Sequence, residues 1–342
     1  MATYKGIQGY TVQSLSDDPT ASSNTEGQLW YNNSTGKFKI VAAGAGAWSS
    51  GGTMNDARTQ VGGLGTSQSA GMIMGGTTPS TPTTAGIKTE TYNGTAWTEA
   101  GDMTGGRSDM GTSIQGSTTA ALIFGGDGRA AVPAQPQVSA LTEEYNGSTW
   151  TEKGDLNTAL RGVAGAGTST AALSLGGQLN PSTIPTGVTE TWNGTSWTNG
   201  AGFVNTERSV ASGFGTATAA LLACGRVPPA AGSNGSVFTE SYDGSTWTAA
   251  ADCNQQRYLE SNFGTQTAGV MAGGHTALAV AESWNGTSWT TVASLATAEN
   301  SNAGFGAGNS AGVSAAGSTG GASAASEEWN DPAYAVKTVT VS

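Results

Sequence analysis

The chain is expected to be all-β, a propeller of six four-stranded blades with seven as the alternative count. Three observations predict it. A cassette of roughly 40–53 residues recurs along the sequence, the period of blade-by-blade repetition. Inside it, one interval never changes. Glycine is abundant, at 53 of 342 residues, while only 11% of residues are charged, which suits packed β-structure with many tight turns rather than a solvated disordered chain.

Each cassette is a short apolar run ending in Gly-Gly, a variable gap, then Glu-x-Tyr/Trp-Asn/Asp-Gly-x-x-Trp. The copies run from Gly75-Gly76 to Glu90 and Trp97, from Gly125-Gly126 to Glu143 and Trp150, and from Gly176-Gly177 to Glu190 and Trp197. They continue from Cys224-Gly225 to Glu240 and Trp247 and from Gly273-Gly274 to Glu282 and Trp289, and an eroded sixth copy holds Gly317, Glu327 and Trp329.

The elements of one repeat follow in order. An arginine, Arg58, Arg107, Arg161, Arg208 or Arg257, stands ten or eleven residues after a tryptophan and heads a glycine-rich strand. The second strand is a run such as Ala120–Phe124 or Ala171–Leu175, apolar throughout and therefore buried on both faces near the propeller axis. The third and fourth form a hairpin, because Glu to Trp spans seven residues in all five clear copies with Asn-Gly or Asp-Gly between them, a turn that needs positive φ. Six residues after each tryptophan comes Met54, Met103, Leu156, Phe203, Cys253 or Leu295, an apolar contact in register. Both cysteines thus have structural readings, Cys224 replacing a glycine and Cys253 joining the apolar series, and two cysteines set no disulfide framework.

Residues 46–342 form the propeller in this reading, and residues 1–45 a separate attachment segment with a hairpin from Gly27 to Val41 across Asn33–Gly36. The sixth copy lacks its closing tryptophan, so the strand around Trp48 is expected to complete the last blade and let the two chain ends close the ring. Alternatively Tyr334–Val341 completes it. No apolar run near the N-terminus is long enough for a signal peptide or a membrane span, and the expectation is a chain outside the secretory route. The Asn-Gly-Thr and Asn-Gly-Ser strings are read as turns rather than glycosylation acceptors.

The arginine-headed strand, the Gly-Gly strand end, the Glu-x-Tyr strand and the closing Trp together resemble the kelch repeat over residues 48–331. The opening Met1–Tyr10 and the string Gly27-Gln28-Leu29-Trp30-Tyr31-Asn32 are similar to N-termini of structural proteins from tailed phages of marine cyanobacteria and related hosts. That resemblance implies a virion protein, assembled in the host cytoplasm without an export signal, present in several copies per particle and held to other virion proteins through its N-terminal segment.

Several functions are disfavoured by the residue inventory. A net charge of −11 argues against a nucleic-acid partner. One histidine, His275, rules out a metal site with two histidines and any Ser-His-Asp triad that His275 does not supply, so no cofactor, metal or catalytic residue is assigned. The copper oxidases that share the kelch fold need more histidines than this. A sialidase-like glycosidase stays as an alternative because Asp243–Trp247 is close to that family's Asp-rich turn, one residue short. The periodic arginines and the glutamates Glu90, Glu143, Glu190, Glu240 and Glu282 are expected to pair as buried structural ions rather than to clamp a substrate.

Variation concentrates in the gap from Gly-Gly to the next Glu, which ranges from eight residues in the fifth repeat to seventeen in the second. A propeller places such loops on one rim, and variable loops on a rigid scaffold are where binding resides. The loop prolines, from Pro79 to Pro229, stiffen them. The candidate binding groups are Asp127, Arg129, Gln135, Gln137, Gln178, Asn180, Arg226 and Asn234. The expected function is a non-enzymatic tail-fibre or tail-associated adhesin whose rim meets a host surface glycan or protein. Alternatives are a capsid decoration protein and an intracellular kelch-type protein-binding scaffold.

Overall fold

The computed structural model describes residues 12–21, 23–25, 27–43, 46–78, 86–128, 138–179, 185–227, 235–331 and 334–339. Its strands in chain order begin with β1 (Gln13–Leu15), β2 (Leu29–Asn32), β3 (Lys37–Ala43) and β4 (Ala47–Ser50). Then come β5 (Gly62–Ser67), β6 (Ala70–Met74), β7 (Thr89–Tyr92) and β8 (Trp97–Glu99), followed by β9 (Gly111–Thr112), β10 (Ala121–Phe124), β11 (Thr142–Tyr145) and β12 (Trp150–Glu152). The next repeats supply β13 (Ala164–Gly167), β14 (Ala172–Leu175), β15 (Thr189–Trp192) and β16 (Trp197–Asn199), then β17 (Ser212–Thr216), β18 (Ala219–Ala223), β19 (Thr239–Tyr242) and β20 (Trp247–Ala249). The chain ends with β21 (Ser261–Gly264), β22 (Gly269–Ala272), β23 (Ala281–Trp284), β24 (Trp289–Val292), β25 (Ala303–Gly306), β26 (Ala311–Ala315), β27 (Ser326–Asn330) and β28 (Tyr334–Thr338).

These strands make seven four-stranded sheets. Five are consecutive meanders, β5 to β8 through β21 to β24. A sixth joins β25, β26 and β27 to β4, and the seventh has the order β1-β2-β3-β28. Two compact units result, Trp48–Asn330 and a terminal unit of Met1–Ala47 with Asp331–Ser342. The boundary expected at 45/46 therefore moves slightly, and the last dozen residues leave the propeller. β28 is antiparallel to β3, with Val336 opposite Val41, so it pairs along one side as an edge strand of the terminal sheet. The place it was offered as an alternative, beside β27, is taken by β4.

Each hairpin forms as its sequence requires. Tyr92 lies opposite Trp97 and Tyr145 opposite Trp150, and the glycine of every turn, Gly94, Gly147, Gly194, Gly244 and Gly286, has φ between 91° and 96°. The preceding Asn or Asp accepts two backbone N–H bonds across the turn, as Asn146 does from Ser148 and Thr149 at 3.0 Å each. The tryptophans then stitch neighbouring sheets. Trp150 and Trp197 donate to Thr89 and Thr142 of the preceding sheet at 3.1 and 2.9 Å, and Trp289 to Thr239 at 3.0 Å.

The apolar runs are the second strands of their sheets; the innermost strands are the glycine-rich ones. β5, β9, β13, β17, β21 and β25 touch one another in that order, and β25 touches β5 again. This cycle is made possible by missing side chains. A Cβ on Gly71 would lie 2.0 Å from the Phe305 ring and one on Gly312 would lie 2.3 Å from Phe263, so each phenylalanine fills the place of a side chain in an adjacent sheet.

Candidate functional site

Two residues beyond each arginine register, the backbone turns left-handed: Gln60, Asp109, Gly162, Val210, Leu259 and Ser301 all have φ between 45° and 62°. The N–H of each donates to the carbonyl of the previous one, and Gln60 donates to Ser301, closing a ring of six bonds of 2.7–3.2 Å. Five of these residues are not glycine, so the ring carries backbone strain that the surrounding packing must hold. Inside it lies a cavity of about 100 Å³. At its other end Gln115 spans from the second sheet to the fifth, donating through Nε2 to Gly264 O at 2.7 Å.

Around this ring, residues next to it pair with those following each Gly-Gly: Thr59 with Thr77, Ser108 with Asp127, Arg161 with Gln178, Ser209 with Arg226, and Asn300 with Ser318. In the fifth repeat His275 N donates to Tyr258 O at 2.7 Å. The variable loops leave from these residues. The mouth of the ring thus brings three of the expected rim residues, Asp127, Gln178 and Arg226, to equivalent positions in consecutive repeats. Arg129, Gln135, Gln137, Asn180 and Asn234 lie outside the described residues.

Two of the three differ from the solvent-facing groups expected. Asp127 and Gln178 are buried. Arg161 Nη1 donates to Asp127 Oδ2 at 3.1 Å, and Gln178 Nε2 donates to Ser209 Oγ at 3.0 Å, so both shape the mouth from beneath. Arg226 is half-buried.

The Arg/Glu series sits apart from the mouth. Arg58 pairs with Glu90, Arg107 with Glu143 and Arg208 with Glu240 at 2.5–2.7 Å, and Arg257 pairs with Glu282, all within single repeats and at 0–1% side-chain exposure. The guanidiniums also donate to strand-end carbonyls, as Arg58 does to Gly75 O and Lys88 O. Desolvation lowers the pKa of Arg58, Arg107 and Arg208, with the partner glutamate opposing it.

Arg161 breaks the series. The carbonyl that Gly126 N uses belongs to Leu160, where the equivalent carbonyls come from Arg107, Arg208 and Arg257. Leu160 therefore fills the arginine's buried register, and Arg161, one residue on, reaches the mouth at 22% side-chain exposure. Glu190 is left with the N–H groups of Asn157 and Thr158 and the Asn157 amide. The sequence carried this signal in a spacing of eleven residues from Trp150, but Arg208 has the same spacing and stays in register.

Beside Arg161 stands Asp109, whose carboxyl accepts from Gln60 Nε2 at 2.8 Å. Desolvation pushes its pKa up to about 6, Asp127 adds to the rise, and Arg161 and Gln60 oppose it. Two further acids were not singled out from sequence. Glu260, bonded by Ser212 at 2.7 Å with its other oxygen unpartnered, is raised to about 7 by burial. Glu299 occupies the arginine register of the sixth repeat and is raised to about 7 by burial and by Glu327. Cys224 and Cys253 are buried free thiols.

A ring of glycine-rich inner strands under sheets of four strands defines a β-propeller protein. Among solved structures, one titled "Structure of YjhT" superposes with a TM-score of 0.62 at 12% identity, covering 84% of this chain and 99% of that one. With 203 solved chains matching in all, the likeness speaks for architecture and leaves activity open. No family model matches the chain, and no curated protein matches its sequence.

Proposed function

We propose that the Trp48–Asn330 unit is a six-bladed, kelch-like propeller closed by β4, and that it serves as a non-enzymatic binding module of a tailed-phage virion, a tail-associated adhesin whose mouth meets the host surface. The blade count is supported by the six-membered hydrogen-bond ring and the cyclic contacts of the inner strands. The binding reading rests above all on Arg161. In four other repeats the arginine is buried against a glutamate, and only here does a register shift deliver it to the mouth, where variable loops begin.

A non-catalytic role is supported by what the other arginines do. Arg58, Arg107, Arg208 and Arg257 are committed to buried glutamates and strand-end carbonyls, so they do not make a substrate clamp of the sialidase kind. The terminal unit supplies the attachment in this reading. Its sheet exposes Leu29 and Phe38 at 41% and 48%, with Tyr31 packed edge-on to Phe38. An apolar sheet face of this kind suits docking to a particle protein. The same face favours a second reading, capsid decoration, in which many copies cover a lattice.

The test is competition. Purified protein should bind host cells and slow adsorption of the phage that encodes it, and Arg161→Ala should weaken both by about tenfold if the mouth is the contact. Failure of the wild-type protein to bind cells or compete overturns the adhesin reading.

A further inference from the structure

The fifth repeat has the shortest gap loop. Residues 275–281 cross from Gly274 to Glu282, and next to them lies a cavity of about 200 Å³ lined by Gly235, Gln255, Tyr258, His275, Thr276 and Leu278. The imidazole of His275 stacks on the phenol of Tyr258, with ring centroids 4.3 Å apart and planes 18° from parallel. His275 is exposed and Tyr258 half-buried, so the stack lies at the surface with one imidazole face against the phenol.

The turn that holds this stack is strained. Thr276 and Ala277 have φ of 69° and 56°, two consecutive non-glycine residues in the left-handed region, the first of them β-branched. Such strain persists where surrounding structure enforces it, and it is found at ligand clamps. No other repeat has consecutive positive-φ residues at this place without glycine among the described residues.

We propose that this cavity is a carbohydrate subsite taking one neutral pyranose ring, with the C–H face of the sugar against His275 and its hydroxyls met by Gln255. The inference deepens the adhesin reading and rests on it for its biological meaning. The size decides for a single ring, because pockets for drug-sized ligands run to ~300–1,000 Å³. An aromatic face edged by an amide matches the amphipathic surface of a sugar, apolar on one face and ringed by hydroxyls. A net charge of −11 disfavours an anionic ligand at long range.

The chain contains one histidine, so its imidazole proton is a single-residue reporter by NMR. Titration with the methyl glycosides of glucose, galactose, mannose and N-acetylglucosamine should move that resonance saturably with at least one of them. His275→Ala should weaken binding of that glycoside by about tenfold in calorimetry, and His275→Phe, which keeps a stacked ring, should restore most of it. A resonance unmoved by all four, or His275→Ala binding as tightly as wild type, overturns the proposal. Cell binding with a silent histidine would leave the adhesin reading standing without this subsite. A responsive histidine without cell binding would do the reverse.

Discussion

Replacing Arg107 by leucine copies into the second repeat what Leu160 does in the third, and it tests whether the buried pairs hold the repeat together. The guanidinium donates to Glu143 and to Leu141 O at 2.5 Å each and to Gly125 O at 3.3 Å, with Arg107 1% exposed and Glu143 fully buried. Removing it leaves Glu143 with only the N–H groups of Thr104 and Gly105. Breaking one partner of a buried pair costs about 3–5 kcal/mol. At ~2–4 °C per kcal/mol for a large domain, the melting temperature should fall by about 6–20 °C. Arg161→Ala is the internal comparison, because its part-exposed bond to Asp127 is worth about 0–1 kcal/mol, within a few degrees of wild type. Thermal scans of the three proteins at pH 7 and one scan rate provide the assay. Adding Glu143→Gln to Arg107→Leu should recover part of the loss by removing the stranded charge. If Arg107→Leu melts within a degree of wild type, or falls no further than Arg161→Ala, the pairs do not carry the stability assigned to them.

Other perturbations read other parts of the structure. The pKa values of Glu260 and Glu299, raised to about 7, and of Asp109, raised to about 6, mean that the folded chain keeps protons the unfolded chain releases. Their contribution to stability should therefore be fully present below the ordinary carboxylate range and be lost as pH climbs to about 7, by on the order of 3 kcal/mol for Glu260 alone. Urea titrations at pH 5 and pH 7.5 should show wild type losing more stability over this window than Glu260→Gln, and equal losses would contradict the raised pKa of Glu260. Gly71→Ala drives a Cβ into the Phe305 ring and should cost about 1–3 kcal/mol by denaturant melting, whereas a silent substitution would mean the first and last sheets do not pack this way. Asn146→Ala removes the acceptor that holds the second hairpin turn and should cost about 1 kcal/mol by the same measurement.

Much of this architecture was legible because the repeat constrains it many times over. The seven-residue interval from Glu to Trp fixes hairpin register, the Asn-Gly turns need a residue at positive φ, and buried Phe and Trp positions recur in phase. The second strands were recognised as buried, but their distance from the axis was not, since glycine-rich strands have too little apolar pattern to announce that they line a ring. Arg161 was misplaced for a different reason. A shift of one residue in a turn leaves no trace in composition and shows only in which carbonyl a neighbouring glycine uses.

The mouth was legible as a region and not as a set of side chains. Variable gap lengths pointed to the rim, and three of its named residues do stand there, but burial of Asp127 and Gln178 follows from partners on the next repeat that no local pattern displays. The Tyr258–His275 stack joins residues seventeen apart across a strand pair, and it becomes visible only when the register is known.

The proposed role places the propeller on a virion tail with its mouth toward the host. Antibody-gold labelling of purified particles of the encoding phage, with mass spectrometry of the same particles, tests it most directly. The account predicts the protein in the particles and label at the tail. Label over the head would replace the adhesin by a decoration protein, and absence from the particles would contradict the virion reading altogether.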